Sequence, residues 1–196
     1  LRAGSVQDAI NASADSRFNA VASRKEILLG TNQYPNARET MGEKIEEMEQ
    51  HGCGCSHHQE ATPLKKLNTR RLADPFNELR LATERSGKTP TVFMLTIGNL
   101  AMRLARSQFS GNFFACAGYK LIDNLGFKTV AEGVQAAREQ KADVVVLCSS
   151  DDEYVTYAPE AYDLLRDGSE LFVVAGAPAC MDDLKAHGIE HFIHVR

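Results

Sequence analysis

The clearest pattern in the chain is an alternation of short apolar runs with longer helical segments, which begins at residue 90. Apolar runs typical of buried strands occupy residues 91–97, 127–130, 143–148, 171–175 and 190–195. Segments of helical character lie between them, at about 99–123, 131–141, 157–167 and 180–187. Such alternation predicts a parallel sheet with helices on its faces. We therefore predict that residues 90–196 form an α/β domain, a flavodoxin-like (Rossmann-like) doubly wound sheet of five parallel strands.

The residues before this domain show a weaker pattern. Residues 5–22 carry apolar side chains at helical spacing, with Ser5 as the predicted N-cap, and residues 26–29 predict a short strand. One helix and one strand cannot bury a core, so we interpret residues 1–35 as the tail of a truncated domain. The chain starts with Leu rather than Met, which also leads us to expect a piece of a longer protein.

Residues 36–89 are polar and rich in helix formers. We interpret them as a mainly helical linker that wraps a neighbour or lies along the following domain. Pro75 fits the first turn of a helix in this linker, with Asp74 as the predicted cap.

Composition and charge exclude several classes of protein. Apolar residues make up 43% of the 196 residues and charged residues 24%, which is typical of globular domains. The net charge of −4 gives no basic surface for nucleic acid. No apolar run approaches the ~20 residues of a membrane span. Three of the five cysteines, Cys116, Cys148 and Cys180, lie in or beside apolar segments, which indicates reduced thiols and a cytoplasmic location.

A cluster of metal-ligating residue types lies in the predicted linker. Cys53, Cys55, His57 and His58, with His51 nearby, crowd into one short stretch. Structural zinc sites usually join two ligand pairs across a longer loop. We therefore favour a flexible loop here and predict no metal site.

The loops after the first, third and fourth predicted strands should line a ligand cleft, because ligands bind beyond the carboxyl ends of parallel strands. A response-regulator site would need an acidic pair after the first strand, where Gly98 and Asn99 stand instead. A flavin site would need a phosphate-binding loop rich in Ser, Thr and Gly at the same place, and no such loop follows the first predicted strand. The acidic run 151–153 repels phosphate, and we interpret it as a solvated loop at the entry to a helix.

Three stretches of this chain resemble the small subunits of methylmalonyl-CoA mutases, which are adenosylcobalamin-dependent isomerases. They are GTNQYP at 30–35, TVFMLTIGNLAMR at 91–103 and ARSQFSGNFFACAGYKLIDNLGF at 105–127. The resemblance implies that residues 1–35 end a barrel domain and that residues 90–196 form a cobalamin-binding-type domain.

The resemblance also implies a degenerate cofactor site. Cobalamin-binding relatives carry Asp-x-His-x-x-Gly after the first strand, where the His binds cobalt and the Asp orients it. With Gly111 at the position of the motif's Gly, the His position holds Gln108 and the Asp position holds Arg106. Neither side chain can perform those roles.

Two further positions depart from the family pattern. The Ser-x-Leu that follows the third strand in relatives is represented by Cys148, Ser149 and Ser150. The Gly-Gly after the fourth strand is Ala175 and Gly176, so a methyl group stands where the backbone should approach the cofactor. Compared with cobalamin-binding relatives, which have only a few residues between the first strand and the His, residues 99–107 add about two helical turns. We expect these turns to cover or fill the cleft at Gln108.

On this resemblance we expect a non-catalytic small subunit of a heterodimeric isomerase. The large subunit would carry adenosylcobalamin and interconvert methylmalonyl-CoA and succinyl-CoA, and this chain would bind no cofactor and have no catalytic residue. The alternative is a sensor or carrier module that holds a corrinoid or nucleotide without a His ligand to cobalt. A plain flavin-binding redox protein is a weaker third hypothesis.

Overall fold

The computed structural model describes residues 4–42 and 71–194. The metal-type cluster around Cys53 and the middle of the predicted linker lie outside the described residues. The helices are α1 (Ser5–Ala22), α2 (Asp74–Arg85), α3 (Leu100–Ala115), α4 (Val130–Glu139), α5 (Tyr154–Leu165) and α6 (Met181–Ala186). The strands are β1 (Thr91–Thr96), β2 (Lys120–Ile122), β3 (Val144–Cys148), β4 (Leu171–Ala175) and β5 (Phe192–Ile193).

All five strands pair in parallel in the order β2-β1-β3-β4-β5. This is the strand order of flavodoxin-like folds, and it places a topological switch point between β1 and β3. The central strands β1 and β3 are buried almost throughout, as their continuous apolar sequences require. The predicted fold class is confirmed.

Helices pack on both faces of the sheet. One face buries Phe93, Leu95 and Val145 against apolar side chains of α4 and α5. The other buries Val92, Met94 and Val146, with Phe114 of α3 packed against them. Because α3 leads from β1 to β2 and crosses this second face, its first turns lie at the switch point.

The predicted position of the second strand was wrong. We expected a helix to about residue 123 and a strand at 127–130, but α3 ends at Ala115 and the strand is Lys120–Ile122. The helix stops because Gly118 adopts a left-handed backbone with φ +77°, after which Lys120 pairs with Thr91 of β1. Phe127 forms only an isolated bridge to Ile97.

The other predicted bounds need smaller corrections. Residues 171–175 form β4 as predicted, whereas β5 is the shorter Phe192–Ile193 within the described residues. Helix α5 begins at Tyr154, about one turn before the predicted start at 157. The N-cap residue of α5 is Glu153.

The N-terminal helix was predicted with its correct bounds, but its cap was not. The N-cap residue is Gly4 rather than Ser5, and no side chain caps the helix. The predicted strand at 26–29 is instead a turn, in which only Leu29 bridges to Gln33. The buried side chain of Asn32 organises that turn by accepting from Leu28 N at 2.8 Å and donating to Val21 O at 2.9 Å.

Helix α2 holds the segment 36–42 through side-chain hydrogen bonds. Pro75 lies in its first turn as predicted, but its N-cap is Ala73 rather than Asp74. The buried Arg80 donates from Nη2 to the carbonyl oxygens of Asn36 and Glu39. The domain boundaries at 35/36 and 89/90 stay predictions. Over the described ranges, no helix has both the length and the apolar character needed to cross a membrane.

Candidate functional site

The loops after β1, β3 and β4 meet at the carboxyl ends of the strands, and we call this meeting point the fork. It comprises Gly98 and Asn99, residues 149–153, and Gly176. The loops are close enough to touch, because Asn99 N donates to the Glu153 carboxylate at 3.1 Å. A methyl group added to Gly176 would lie 3.1 Å from Asp151 Oδ1. The fork is therefore filled by side chains of the chain itself.

An ion pair closes the fork above Gly176. Arg106, in the second turn of α3, places Nη2 2.8 Å from Asp151 Oδ1 in the loop after β3. The Arg106 side chain is only 17% exposed. A methyl group on Gly176 would lie 3.4 Å from its guanidinium carbon. The space beside the Gly176 backbone is thus occupied by the two charged side chains.

The carboxylate of Glu153 ties the first two loops together. It accepts from Ser149 Oγ at 2.6 Å, Ser150 Oγ at 2.7 Å and Ser150 N at 3.2 Å, in addition to Asn99 N. The Ser149 hydroxyl contributes most to lowering the pKa of Glu153 to about 2, with further contributions from Ser150 and the Asn99 amide. Glu153 is therefore ionised at neutral pH and held in place.

The hydroxyl of Tyr154 fills the base of the fork between β3 and β4. It donates to Ala175 O at 2.6 Å and accepts from Ser149 N at 3.1 Å, and the side chain is completely buried. Burial raises the pKa of the Tyr154 phenol above its usual value. The Tyr154 hydroxyl therefore provides a hydrogen-bond partner for two backbone groups at the ends of β3 and β4, Ser149 N and Ala175 O.

The structure divides the predicted cleft residues into two groups. Arg106, Ser149, Ser150, Ala175 and Gly176 meet at the fork. Cys148 lies below them in the core, where burial raises the pKa of its thiol to about 12.

Gln108 and Gly111 lie away from the fork. Gln108 is exposed, and Gly111 packs beside β2, where an added methyl group would lie 3.4 Å from Leu121 Cδ1. The expectation that the first turns of α3 cover a cleft at Gln108 is wrong in this form. Leu100 and Leu104 of these turns are 60% and 48% exposed, and Arg106 closes the fork instead.

Gln108 lines an open groove of about 1040 Å³ between α3 and residues 22–37. Two contacts fix the far wall of this groove to α3. Tyr34 N donates to Asn112 Oδ1 at 2.7 Å, and the Arg24 guanidinium lies 5.4 Å from the centre of the Phe109 ring. The groove is thus a feature of the packing of the N-terminal segment on α3, separate from the fork.

The roles of Glu153 and Tyr154 were not predicted from the sequence. The interpretation of residues 151–153 as a solvated loop fits Asp152 but not Glu153 or the paired Asp151. A local signal existed, because Ser150-x-x-Glu153 has the spacing of a capping box. In residues 4–42 and 71–194, no three His, Cys, Asp or Glu side chains gather closely enough to hold a metal ion.

The sequence of this chain is closely similar to that of a known protein. The chain is 62% identical over 193 residues to the methylmalonyl-CoA mutase small subunit of Porphyromonas gingivalis (strain ATCC BAA-308 / W83), a match that covers 98% of the chain. The chain is homologous to methylmalonyl-CoA mutase small subunits. The resemblance predicted from the sequence is therefore confirmed.

Other matches are more distant. The methylmalonyl-CoA mutase small subunit of Streptomyces virginiae is 28% identical over 170 residues, or 85% of the chain. The chain spans 30% of the length of the first small subunit and 25% of the second. No protein-family model matches. A crystal structure of a cobalamin-binding protein from Desulfitobacterium hafniense DCB-2 aligns with 97% of this chain and 89% of its own, at 15% identity and a TM-score of 0.45, which is too low to support any inference.

Proposed function

We propose that this chain is part of the non-catalytic small subunit of a heterodimeric methylmalonyl-CoA mutase. The mutase would interconvert methylmalonyl-CoA and succinyl-CoA, with adenosylcobalamin and substrate held by the large subunit. Residues 90–196 would be a cobalamin-binding-like domain without cofactor, residues 36–89 a linker, and residues 1–35 the tail of the preceding barrel domain. The high identity to a protein named as a small subunit supports the assignment to that subunit.

The occupied fork is the observation that carries the non-catalytic part of this proposal. A corrinoid placed at the carboxyl ends of the strands needs a cobalt ligand and free backbone beside the loop glycine. The fork offers the Arg106–Asp151 pair over Gly176 and a carboxylate held by Ser149 and Ser150. The described histidines lie at α6 and β5, outside the loops after β1, β3 and β4. The residues present do not fit the cofactor.

The alternative, a module that binds a corrinoid or nucleotide without a His ligand, would require an open fork. No observation at the fork favours it, because each of the three loops contacts a side chain of the same chain there. The open groove at Gln108 is lined mainly by α3 and by the N-terminal segment. It does not reach the loops after β3 and β4, where the alternative would place its ligand.

Co-expression with the large subunit tests the proposal. We expect the two chains to co-elute in gel filtration and to carry one corrinoid per large subunit. Arg106→Ala should leave the corrinoid content unchanged, because the cofactor would lie in the partner. A second corrinoid per complex, or a loss of corrinoid in Arg106→Ala, would contradict the proposal. Failure to co-elute would contradict the assignment to a heterodimer.

A further inference from the structure

Residues 24–42, which we call the strap, follow the end of α1 and run across α3 to α2. Tyr34 N donates to Asn112 Oδ1 of α3 at 2.7 Å, and the Arg24 guanidinium lies 5.4 Å from the centre of the Phe109 ring. Beside these contacts lies the open groove of about 1040 Å³. No apolar side chain of residues 24–42 is buried. Segments with little buried apolar surface are the ones that open locally in folded proteins.

Two side chains one turn apart on α2 hold the far end of the strap. Arg80, whose side chain is only 7% exposed, donates from Nη2 to the carbonyl oxygens of Asn36 and Glu39. Glu84 accepts from the backbone N–H groups of residues 41–42 at 2.9 and 3.0 Å. Helix α2 therefore binds the strap through both kinds of backbone group, carbonyl oxygens and N–H groups.

The Cys116 thiol lies where the contacts on α3 and α2 meet. Cys116 is the C-cap residue of α3 and is 6% exposed. It follows Phe109 and Asn112 at helical spacing, so that the three side chains share the face of α3 that the strap contacts. Burial raises the pKa of the Cys116 thiol, and the nearby Arg24 and Arg80 guanidinium groups lower it. The reactivity of this thiol therefore reports whether the strap is closed.

We propose that Arg80 and Glu84 form a clasp that keeps the strap closed on α3, and that the strap opens as a unit while the sheet stays folded. The clasp fixes the first and last parts of the predicted linker, residues 36–42 and α2, to each other. While it is closed, the linker cannot separate the N-terminal segment from the sheet domain. This inference goes beyond the proposed function and holds whether or not the chain binds a large subunit.

Alkylation of the native chain with N-ethylmaleimide, resolved for each cysteine by peptide mass spectrometry, tests the inference. Arg80→Met keeps an unbranched side chain but removes two charge-assisted hydrogen bonds to the strap. Cys116 should then react at least about tenfold faster than in wild type, since one such bond is worth about that factor. Cys148, which is completely buried in β3, should stay protected. Loss of the Arg80 charge by itself raises the pKa of the Cys116 thiol and slows its reaction, so a faster reaction reports exposure.

Two further variants separate opening of the strap from a local gap at Arg80. Arg85→Met makes the same change at an exposed position of α2 and should react like wild type. Glu84→Ala releases the other half of the clasp and should also accelerate Cys116. An unchanged Cys116 rate in folded Arg80→Met or Glu84→Ala, or equal acceleration in Arg85→Met, would overturn the inference. Acceleration of Cys148 together with Cys116 would also overturn it, because the strap would then open only with the whole fold.

A measurement on the wild type decides the question if the Arg80 variant does not fold. The alkylation rates of Cys116 and Cys148 are followed in increasing concentrations of urea. Cys116 should lose its protection at a lower urea concentration than Cys148, because local opening requires less free energy than unfolding of the sheet. Coincident loss of protection at the two cysteines would show that the strap and the sheet unfold together and would refute the inference.

Discussion

The sharpest consequence for stability comes from removing a single oxygen at the base of the fork. In Tyr154→Phe the aromatic ring keeps its place in the core, but Ser149 N loses its acceptor and Ala175 O loses its donor. Both backbone groups lie at buried residues. Leaving a buried polar group without a partner costs about 1–3 kcal/mol, so we expect a loss of about 2–4 kcal/mol in the free energy of unfolding.

Such a loss is a large fraction of the ~5–15 kcal/mol that typically stabilises a domain. Urea denaturation followed by circular dichroism would measure it. The matched control is Tyr157→Phe, one turn along the same helix, where the residue is half-buried and its hydroxyl has no hydrogen-bond partner among the described residues. That variant should lie within about 0.5 kcal/mol of wild type.

The two variants must differ if the reasoning is correct. A loss below about 1 kcal/mol in Tyr154→Phe, or equal losses in both variants, would show that Ser149 N and Ala175 O find other partners. The hydroxyl would then not bind the two strand ends together. The base of the fork would then lack the two hydrogen bonds that close it.

Three further predictions concern the fork and its surroundings. Gly98→Ala should destabilise the chain more than Gly30→Ala in thermal unfolding. Both glycines have φ near +80°, but only Gly98 faces the Glu153 carboxyl group. Equal effects of the two substitutions would argue against that contact. Glu153 has its pKa lowered from 4.5 to about 2, so its stabilisation is complete above about pH 4.5 and is lost as the pH falls toward 2. Acid unfolding should therefore be less steep in Glu153→Gln, and identical acid limbs would contradict this. Gln108→His should not create a corrinoid site, because residue 108 is exposed and lies away from the fork; an absorbance spectrum of imidazole-bound cobalt would overturn this prediction.

The sheet could be predicted from the sequence because its signal is local. Continuous apolar runs at β3 and β4 are typical of strands buried on both faces, and the structure places strands there. Strand β2 was missed because it is short and mostly exposed, with no apolar run to mark it. Its position is fixed by pairing with β1, which is information outside its own sequence.

The fork was harder to predict for the same reason. Arg106 and Asp151 are 45 residues apart, and nothing in either neighbourhood indicates that they meet. The sequence identified Arg106 and Ala175 as departures from a cofactor-binding pattern, and the structure brings Arg106 to Gly176, the residue that follows Ala175. Gln108 was placed with them by alignment to a motif, but it lies in the middle of a continuous helix and is exposed.

The most direct test of the central claim is an absorbance titration of the purified chain with adenosylcobalamin and with hydroxocobalamin, followed by gel filtration. Because Arg106, Asp151 and Glu153 fill the fork, we predict that no corrinoid co-elutes with the chain. Co-elution with an unchanged corrinoid spectrum would contradict the claim and would favour a binding module that leaves the cofactor's own base on cobalt. Co-elution with the spectrum of a protein imidazole on cobalt would show that a histidine of this chain is a ligand and that the fork is not the cofactor site.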